Sequence, residues 1–431
     1  RVSAALDAGI TNGNLIIDAG SSLSYGAITT GGALSVKGNV TNAGNISLGT
    51  AAVGDDLKVG GNYTNTGAGT FTGNNRAIWF VNFTSPIVPI TQIVTSATAL
   101  TIPFVVTSGG TAGTTVQLAS DVIISSSPTG ANVISFGASG ADVIDINGRN
   151  LTIGATNSIG TIGGTGTFKG SATSNLTILG STASTIGTLS FTSGFQNLGT
   201  FTMNRQSSVV GCVLGTPLTV NTSLALTNGH VDLGTNNLTL ASGASIGGTP
   251  GSASFVIADD TGGQLTRTLS ASGTYTYPIG DNSGTTEYTP ATLTFTGGTY
   301  AGTVGVRVID AIHPSNVGAT DYLTRYWQVS VSGVTPTDYT FAGTYASSGD
   351  ITGTEANCFP ARHDGTNWID IGGSSIGSNT CTVSGTTFPS AANDFSAGSA
   401  YPEINIKGVV GSNPNILSGD ITPSISDNTL F

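Results

Sequence analysis

Carboxylate groups are the side chains in this sequence whose types and spacing could do chemistry. Hydrolysis of a glycosidic bond needs two carboxyl groups at a defined separation, and lyase chemistry needs a base beside a calcium ion held by carboxylates. The candidate positions fall into four places: Asp55 with Asp56, Asp142 with Asp145, Asp259 with Asp260, and Asp232 beside His230.

Each of these places also has a structural explanation, which we favour. Asp142 and Asp145 are three positions apart, so on an extended strand their side chains point to opposite faces. The two pairs of adjacent aspartates stand next to glycine-rich turns, where an Asp side chain caps the backbone. His230 and Asp232 could share a strand face, but no Ser, Cys or metal partner is identifiable for them, and His230 is expected to be a solvated turn residue. None of the four places therefore predicts a catalytic site.

Two further histidines and three cysteines complete the groups with metal-binding or nucleophilic chemistry. His313 precedes a proline and His363 lies in the segment ARHDG, so both are expected to be solvated turn residues. No CxxC or CxxxxC pair exists, which argues against a zinc site. Cys358 and Cys381 lie in one β-rich segment and are expected to form an intrachain disulfide, the alternative being two separate buried thiols. Cys212, in VVGCVLG, is expected to be a small core residue.

Calcium is the one ion that the turns suggest. Residues 142–147 (DVIDIN) and 281–284 (DNSG) carry clustered oxygen ligands of the kind that calcium prefers. Their spacing lacks the regularity of an EF-hand or of nonapeptide calcium repeats. The sequence therefore predicts no cofactor and leaves calcium at these turns as an open alternative.

The composition shows which elements must position these residues. Of 431 residues, 63 are Gly, 12 are Lys or Arg and 23 are Asp or Glu. The long straight-chain residues that favour helices are scarce, so a mainly helical protein is excluded. Val, Ile, Thr and Phe recur in short alternating runs, which is typical of strands rather than of disorder. An all-β chain is predicted.

Charge and hydropathy exclude two classes of partner. The net charge is -11 and the few Lys and Arg residues are scattered, whereas phosphate binding needs clustered cations, so nucleic acid is not an expected partner. Apolar stretches such as 77–83 fall far short of the roughly 18 residues that span a bilayer. The chain starts at Arg1 without a signal-like segment, and we expect a processed form or an excerpt of a longer polypeptide.

A short repeat over residues 12–250 predicts a β-solenoid. Apolar-x-apolar triplets alternate with Gly, Asn or Thr turns, most clearly at Leu218, Leu224, Val231 and Leu238, where three short strands fill about 20 residues. This is the expected length of one coil of a three-sided, right-handed parallel β-helix, in which the outer residues of each triplet stack inside. Residues 77–135 carry a heavier aromatic and proline load, and we expect an irregular insertion there. The solenoid is assigned to residues 1–250.

The sequence pattern changes after residue 250. Strands over residues 252–400 are longer, richer in aromatic residues and alternate over five or more positions, which predicts an antiparallel β-sandwich. Residues 402–431 are too few to bury a core of their own. They are assigned to an extended tail or a partial immunoglobulin-like segment that packs on something else.

Two segments of this region carry a resemblance to known proteins. Tyr277-Pro-Ile-Gly-Asp281 and Arg325-Tyr-Trp327, with the repeats before them, resemble a segment common in large surface proteins of Bacteroidota over about residues 150–400. The tail sequence PEINIKG resembles the start of an immunoglobulin-like repeat. Such proteins are exported by the type IX route as adhesins, filaments or surface layers. The resemblance implies an extracellular or cell-surface, non-enzymatic architecture, and it transfers no catalytic residue.

These observations predict a structural protein that is not an enzyme. We expect subunits to assemble head to tail into an extracellular filament or layer, since open strand edges and an incomplete tail invite strand addition between copies. The expected partners are copies of the chain itself, with surface glycans or other surface proteins as further candidates. Two alternatives stay open: the stalk of a monomeric adhesin, and a β-helix polysaccharide lyase or hydrolase. The apolar residues assigned to the assembly tail are Ile404, Ile406, Ile416, Leu417, Ile421, Ile425, Leu430 and Phe431.

Overall fold

The computed structural model describes an all-β protein in two compact units, Arg1–Arg267 and Thr268–Phe431. Helical structure within the described residues is confined to the 3-10 turn Glu355–Asn357, and none of it is long enough to cross a membrane. The described residues are 10–11, 13–24, 33–50, 55–84, 86–125, 132–138, 140–155, 160–181, 185–206, 208–316, 319–346, 349–386, 388 and 393–399.

Thirty strands, most of them short, are found in the described residues up to Leu269. The first fifteen are β1 Ile10–Thr11, β2 Leu15–Ile17, β3 Ser22–Ser24, β4 Leu34–Val36, β5 Val40–Asn42, β6 Asn45–Ser47, β7 Leu57–Val59, β8 Tyr63–Asn65, β9 Thr70–Thr72, β10 Ala77–Val81, β11 Ile90–Ser96, β12 Leu100–Ile102, β13 Phe104–Ser108, β14 Thr114–Leu118 and β15 Val122–Ile124. The others are β16 Ile134–Ser135, β17 Val143–Asp145, β18 Asn150–Ile153, β19 Ile162–Gly163, β20 Thr167–Lys169, β21 Asn175–Leu179, β22 Thr188–Leu189, β23 Asn197–Asn204, β24 Val210–Leu214, β25 Leu218–Asn228, β26 His230–Asp232, β27 Leu238–Leu240, β28 Ser245–Gly248, β29 Val256–Ile257 and β30 Leu265–Leu269.

These strands form a β-solenoid of about ten turns. One side is the parallel sheet β1-β4-β7-β10-β13-β16-β19, and a second is β2-β5-β8-β11-β14-β17-β20. The third side follows β3-β6-β9 and then β12-β15-β18-β21-β23-β25-β27. Each strand therefore pairs with the strand at the same position of the next coil, which confirms the predicted solenoid.

The apolar-x-apolar triplets supply the interior by stacking in register. Leu34 aligns with Leu57, which aligns with Ile78, and all three are almost fully buried. The middle residues of the same strands face outward because side chains alternate between the faces of a strand. The clearest repeat is also found, with Leu218 aligned on Leu238. There, however, two of the predicted short strands form the single long strand β25.

Residues 77–135 do not form the expected irregular insertion in the part that the structure describes. Strand β10 pairs in parallel with β7 and β13, and β11 pairs with β8 and β14. The strands are longer here, with five residues in β10 and seven in β11. Longer strands carry more apolar residues, which explains why the sequence pattern changed while the coil register continued.

The solenoid interior also holds a buried amide pair. Asn42 Nδ2 donates to Asn65 Oδ1 at 2.7 Å, and Asn65 Nδ2 donates to the Gly69 carbonyl at 2.6 Å. Asn42 is fully buried and Asn65 is 6% exposed. Since Asn42 and Asn65 occupy equivalent positions of successive coils, their amides satisfy backbone groups at a corner of the solenoid and tie the coils together.

The second unit contains two antiparallel sheets. One is β31-β34-β38-β42, and the other has β35, β37 and β43 at its centre with β36, β39, β40 and β41 beside them. Between the two sheets, the ring of Phe341 on β38 stacks on that of Phe395 on β43, with 4.1 Å between the ring centroids. The centroid of the Phe341 ring lies 5.6 Å from that of Trp327 on β37. The strands are β31 Gly273–Tyr277, β32 Ile279–Asp281, β33 Glu287–Tyr288, β34 Ala291–Thr296, β35 Thr299–Ile309, β36 Tyr322–Leu323, β37 Tyr326–Thr335, β38 Asp338–Thr344, β39 Ile351–Thr352, β40 Phe359–His363, β41 Trp368–Ile369, β42 Thr380–Thr386 and β43 Asn393–Gly398.

The domain boundaries differ from the expected ones at one point. The solenoid coils continue through β29 and the start of β30, so the first unit ends at Arg267 rather than near residue 250. The assignment of residues 252–400 as a β-sandwich stays a prediction. The predicted assembly tail lies outside the described residues, with all its named positions: Ile404, Ile406, Ile416, Leu417, Ile421, Ile425, Leu430 and Phe431.

The buried amide pair predicts a large stability effect for a small change. In Asn65→Ala, the Gly69 carbonyl loses its donor and Asn42 loses an acceptor inside the solenoid. We expect a loss of about 1–3 kcal/mol for leaving such groups unsatisfied, measured as a lower urea midpoint by circular dichroism. Thr101→Ser, on the outward face of β12, serves as the control and should unfold like the original protein. Equal midpoints for Asn65→Ala and the control would contradict the assigned role of the amide pair.

Candidate functional site

Asp142 lies inside the solenoid as a saturated hydrogen-bond acceptor. Its Oδ2 accepts from Thr107 Oγ1 and from the Gly137 amide, each at 2.9 Å. Its Oδ1 accepts from the amides of Gly109 at 3.1 Å and Thr114 at 2.9 Å. The side chain is fully buried. A carboxylate held by four donors without solvent access joins coils together and does not serve as a general acid or base.

Three other carboxylates proposed from the sequence, those of Asp145, Asp56 and Asp259, are also structural. Asp145 accepts a hydrogen bond at 3.1 Å from Nε2 of Gln117, which lies in the preceding coil. Among the described residues, the Asp145 carboxylate shares no hydrogen-bond partner with that of Asp142. Asp56 accepts from Trp79 Nε1 at 3.1 Å and pairs with an arginine, while Asp259 caps a turn through the amide and hydroxyl of Thr261. These aspartates fix turns and corners.

His230 and Asp232 do not act together. His230 is fully buried, its ring lies 4.0 Å from that of Phe255, and its Nδ1 accepts the Phe255 amide at 3.3 Å. Its Nε2 has no hydrogen-bond partner among the described residues. Burial lowers the pKa of His230 to about 4. Asp232 instead caps the turn at Gly234. His230 is therefore a neutral core residue and not the solvated turn residue that the sequence indicated, because Phe255 of the next coil covers it.

The most concentrated charged group of the second unit surrounds Arg325. The Arg325 guanidinium is fully buried, and its Nε and Nη2 donate to the two oxygens of Asp350 at 2.8 and 3.1 Å. Nη1 donates to Asp281 and Nη2 to Glu287, and the Asp310 carboxylate lies 3.4 Å from Nη2. One guanidinium thus holds four carboxyl groups, which we call the Arg325 cluster.

The Arg325 cluster joins the two segments that carry the resemblance described above. Asp281 ends Tyr277-Pro-Ile-Gly-Asp281 at β32, and Arg325 begins Arg325-Tyr-Trp327 at β37. Glu287 comes from β33, and Asp310 directly follows β35. The sequence singled out both segments but gave their residues no chemical role. The sequence feature that could have indicated the cluster is the single charged residue in each segment, Asp281 in one and Arg325 in the other.

The four carboxyl groups differ in access to solvent. The side chain of Asp281 is fully buried and that of Asp350 is 3% exposed, whereas Glu287 and Asp310 are 23% and 31% exposed. Burial raises the pKa of Glu287, and its acidic neighbours add to this, although Arg325 opposes the shift. Burial alone would lower the pKa of Arg325, but its hydrogen bonds to Asp350 and Asp281 raise it above the usual range. The arrangement presents two carboxyl groups, those of Glu287 and Asp310, to solvent beside a permanent cation.

The turns considered for calcium are occupied by other contacts. The Asp281 carboxylate binds Arg325 and also accepts the Ser283 amide at 3.2 Å. Asp142, the first residue of the other turn, is fully buried and saturated by donors. Neither aspartate directs a carboxylate away from the protein.

His313 and His363 are not the solvated turn residues that the sequence indicated. They are only 4% and 6% exposed, and they lie together with Asp394. Aromatic side chains from distant parts of the chain cover them: Tyr326 and Trp368 both contact the ring of His313. Their neighbours in sequence are turn residues, so only the folded chain reveals their burial.

The three cysteines are buried, free thiols. Burial raises the pKa of Cys358 to about 12 and also raises that of Cys381, to which Cys358 adds. The predicted bond between Cys358 and Cys381 is therefore absent from this structure, which has the reduced alternative. Their oxidation to a disulfide stays a prediction.

Comparisons with known proteins add little. No family model matches the sequence, and no curated protein matches it. A solved structure described as the enzymatically active domain of tailspike protein 4 of bacteriophage CBA120 matches with 10% identity and a TM-score of 0.20. The alignment covers 86% of this chain and 63% of the phage chain.

This comparison corrects one expectation from the sequence. The chain was predicted not to be an enzyme, whereas the structural neighbour is described as enzymatically active, and that prediction is therefore withdrawn. A TM-score of 0.20 carries no argument about reaction, substrate or catalytic residues. Any function has to be argued from this chain's own side chains.

The buried neutral state of His230 predicts acid sensitivity of the solenoid. The folded pKa of about 4 lies below the ordinary value of 6.5, so the unfolded chain binds more protons between these values. The contribution of neutral His230 to the free energy of unfolding is therefore fully present above pH 6.5. It is lost as the pH drops towards 4, by about 3 kcal/mol in all. We expect His230→Asn, which keeps an acceptor for the Phe255 amide, to remove this part of the pH dependence. Urea titrations of both proteins at a series of pH values measure the difference, and parallel curves would show that His230 is not responsible.

Proposed function

We propose that the protein binds and hydrolyses a polysaccharide, with Glu287 and Asp310 as the acid and the nucleophile. The observation that carries this proposal is that both carboxyl groups contact the same Nη2 of Arg325 while both reach solvent. Asp281 and Asp350 then have a supporting role, because they bind the remaining faces of the guanidinium and hold it in place. Turns or coil contacts occupy the carboxylates of Asp56, Asp142, Asp145, Asp232 and Asp259.

The spacing favours one stereochemical class. Two carboxyl groups that share one guanidinium nitrogen lie close together, near the separation of about 5 Å found in retaining glycosidases. Inverting enzymes need a wider gap that admits a water molecule between acid and base. A retaining mechanism, in which a carboxylate attacks the sugar and a covalent intermediate is later hydrolysed, fits the Arg325 cluster better.

The environments of the two carboxyl groups assign the roles. Burial and acidic neighbours raise the pKa of Glu287, so we assign it as the group that donates a proton to the leaving glycosidic oxygen. Asp310 is the more exposed of the two and lies beside the guanidinium, so we assign it as the attacking group. When Glu287 has given up its proton, it can activate the water that releases the intermediate. Arg325 positions both groups and offsets the charge that accumulates on them.

A panel of neutral, amino-substituted and acidic polysaccharides, assayed for new reducing ends, tests this proposal. We expect Glu287→Gln and Asp310→Asn each to lower kcat/KM by about a hundred- to ten-thousandfold, the usual contribution of positioned acid-base groups. Asp338→Asn is the matched control because Asp338 is an exposed carboxylate of the same unit, outside the Arg325 cluster. It should retain full activity.

Two outcomes would contradict this proposal. One is that the folded protein releases no reducing ends from any member of the panel. The other is that depolymerisation survives in both Glu287→Gln and Asp310→Asn at the level of the Asp338→Asn control. Thermal melts of all three variants show whether a loss of activity reflects a loss of folding.

A second candidate function is the subunit of an extracellular filament or layer, related to the Bacteroidota surface proteins that the sequence resembles. The first described coil favours it, since β1, β2 and β3 each pair on one side only within the described residues. In β2, the Leu15 amide and the Ile17 carbonyl bond to the neighbouring coil at 2.8 Å each, so the N–H and C=O of Ile16 point the other way. Such an edge can accept a strand from another copy.

The edge of β2 gives a sharp test of assembly. Ile16→Pro removes the N–H that faces away from the neighbouring coil and breaks no bond to that coil. We expect native filaments, seen by electron microscopy, to shorten or vanish in this variant, while Ile16→Thr still assembles. Normal polymers from Ile16→Pro would contradict strand addition at this edge. Normal polymers from a chain that lacks residues 402–431 would contradict a role of the tail.

A further inference from the structure

The cluster of His313, His363 and Asp394 in the second unit is independent of the Arg325 cluster. His363 on β40 stands directly opposite Asp394 on the neighbouring strand β43, and His313 comes from the connection after β35. His313 Nε2 lies 3.1 Å from Asp394 Oδ2, and one nitrogen or oxygen atom from each residue lies within 4.8 Å of the others. We call these three residues the histidine cluster.

Backbone amides determine which nitrogen of each imidazole carries the proton. The Ser315 amide donates to His313 Nδ1 at 3.1 Å, and the Gly365 amide donates to His363 Nδ1 at the same distance. A backbone amide is always a donor, so each Nδ1 must be the unprotonated acceptor. The proton of each neutral imidazole is therefore on Nε2, the nitrogen that faces Asp394 in His313.

This tautomer argues against a metal ion, although two histidines and a carboxylate are a common donor set. A metal bound at Nε2 needs the lone pair there, and a metal-bound imidazole carries its proton on Nδ1, where it donates to an acceptor. In this protein Nδ1 already faces an N–H group in both histidines. The histidine cluster instead presents Nε2–H groups to a carboxylate.

The Asp394 carboxylate can take both donors. Its Oδ2 contacts Nε2 of His313, whereas its Oδ1 is buried without a hydrogen-bond partner among the described residues. His363 stands opposite Asp394 on the paired strand, and one of its ring nitrogens lies within 4.8 Å of the carboxylate. Two Nε2–H donors and the two oxygens of one carboxylate can thus form a self-complementary group.

The histidine cluster connects two turns through Trp368. The rings of His313 and His363 lie 4.7 and 5.0 Å from the Trp368 ring, and Trp368 Nε1 donates to the Ser315 carbonyl at 3.3 Å. The adjacent Asn316 is 6% exposed. Neither Nδ2 nor Oδ1 of its side chain has a hydrogen-bond partner among the described residues. Opening of the turn at 313–316 would hydrate this amide, so the closed turn is held against a local cost.

We propose that His313, His363 and Asp394 form an acid-operated latch that holds the turns at 313–316 and 363–367 closed at neutral pH and releases them when an imidazole takes a second proton. An imidazolium carries N–H on both nitrogens, so its new Nδ1–H would face the amide of Ser315 or Gly365. The turn has to open to separate these two donors. Trp368, which touches both histidines, would then become accessible to water.

The surrounding charges set the direction of the pH dependence. Burial lowers the pKa of His363, with His313 adding to this, while Asp394 and Asp364 oppose the shift. The aromatic neighbours Tyr326 and Trp368 bring no charge. A histidine whose folded pKa is lowered stabilises the closed state above its ordinary value of 6.5 and loses that contribution as the pH falls.

The tautomers can be measured directly because the chain has three histidines. Long-range nitrogen-proton NMR spectra of the full chain at pH 8, assigned with His230→Asn, should show the Nε2–H form for both His313 and His363. An Nδ1–H form of either would overturn the proposal. A rise in melting temperature on adding Zn²⁺ at pH 7.5, absent in His363→Asn, would also overturn it, because it would show that Nε2 is free to bind metal.

The opening is tested by acrylamide quenching of tryptophan fluorescence in the His230→Asn background, which removes the other buried histidine. Quenching should rise as the pH falls below 6.5, and this rise should disappear in Trp368→Phe. In His363→Asn, whose amide oxygen can accept the Gly365 amide without titrating, the midpoint should move by about one pH unit or more. A rise that survives unchanged in both variants would overturn the latch. The NMR result stands independently if His363→Asn fails to fold.

Discussion

Backbone hydrogen bonding between successive coils is the constraint on which the first unit depends. Every strand of a parallel solenoid gives half of its N–H and C=O groups to the coil before it and half to the coil after it. Corresponding residues therefore have to stack, as Leu34, Leu57 and Ile78 do, and a polar residue inside needs a polar neighbour in the next coil. Asn42 and Asn65 meet this requirement with their amides.

Buried charge obeys the same requirement but is satisfied in two different ways. The Asp142 carboxylate is stabilised by hydrogen bonds alone, from three N–H groups and one O–H group. These donors leave no acceptor position free for a substrate. Arg325 is surrounded by more carboxyl groups than its charge can balance, and two of them reach solvent. Saturation makes Asp142 part of the scaffold, whereas the excess of carboxyl groups around Arg325 contributes to the raised pKa of Glu287.

Features that are encoded by the pattern of neighbouring residues could be predicted from the sequence. Alternation in triplets such as Leu218-Thr-Val was sufficient for the solenoid, because each triplet shows its inward face locally. The longer strands β10 and β11 kept the coil register while losing the triplet pattern, and only the pairing partners reveal this. The Arg325 cluster and the histidine cluster lay beyond prediction from local pattern, because their members come from different sheets and turns and become neighbours through folding. Burial of His313 depends on Trp368, which is distant in the chain.

The direction of the solenoid hydrogen bonds has a mechanical meaning. They run along the solenoid axis, so tension applied along that axis pulls adjacent coils straight apart, and the strands are not sheared past one another. A coil at the end can then detach without disturbing the hydrogen bonds of the coils behind it. The coil from Leu218 to Leu238 contains 20 residues and would release roughly 70 Å of extended chain. The first unit would lengthen in steps of this kind, absorbing work one coil at a time.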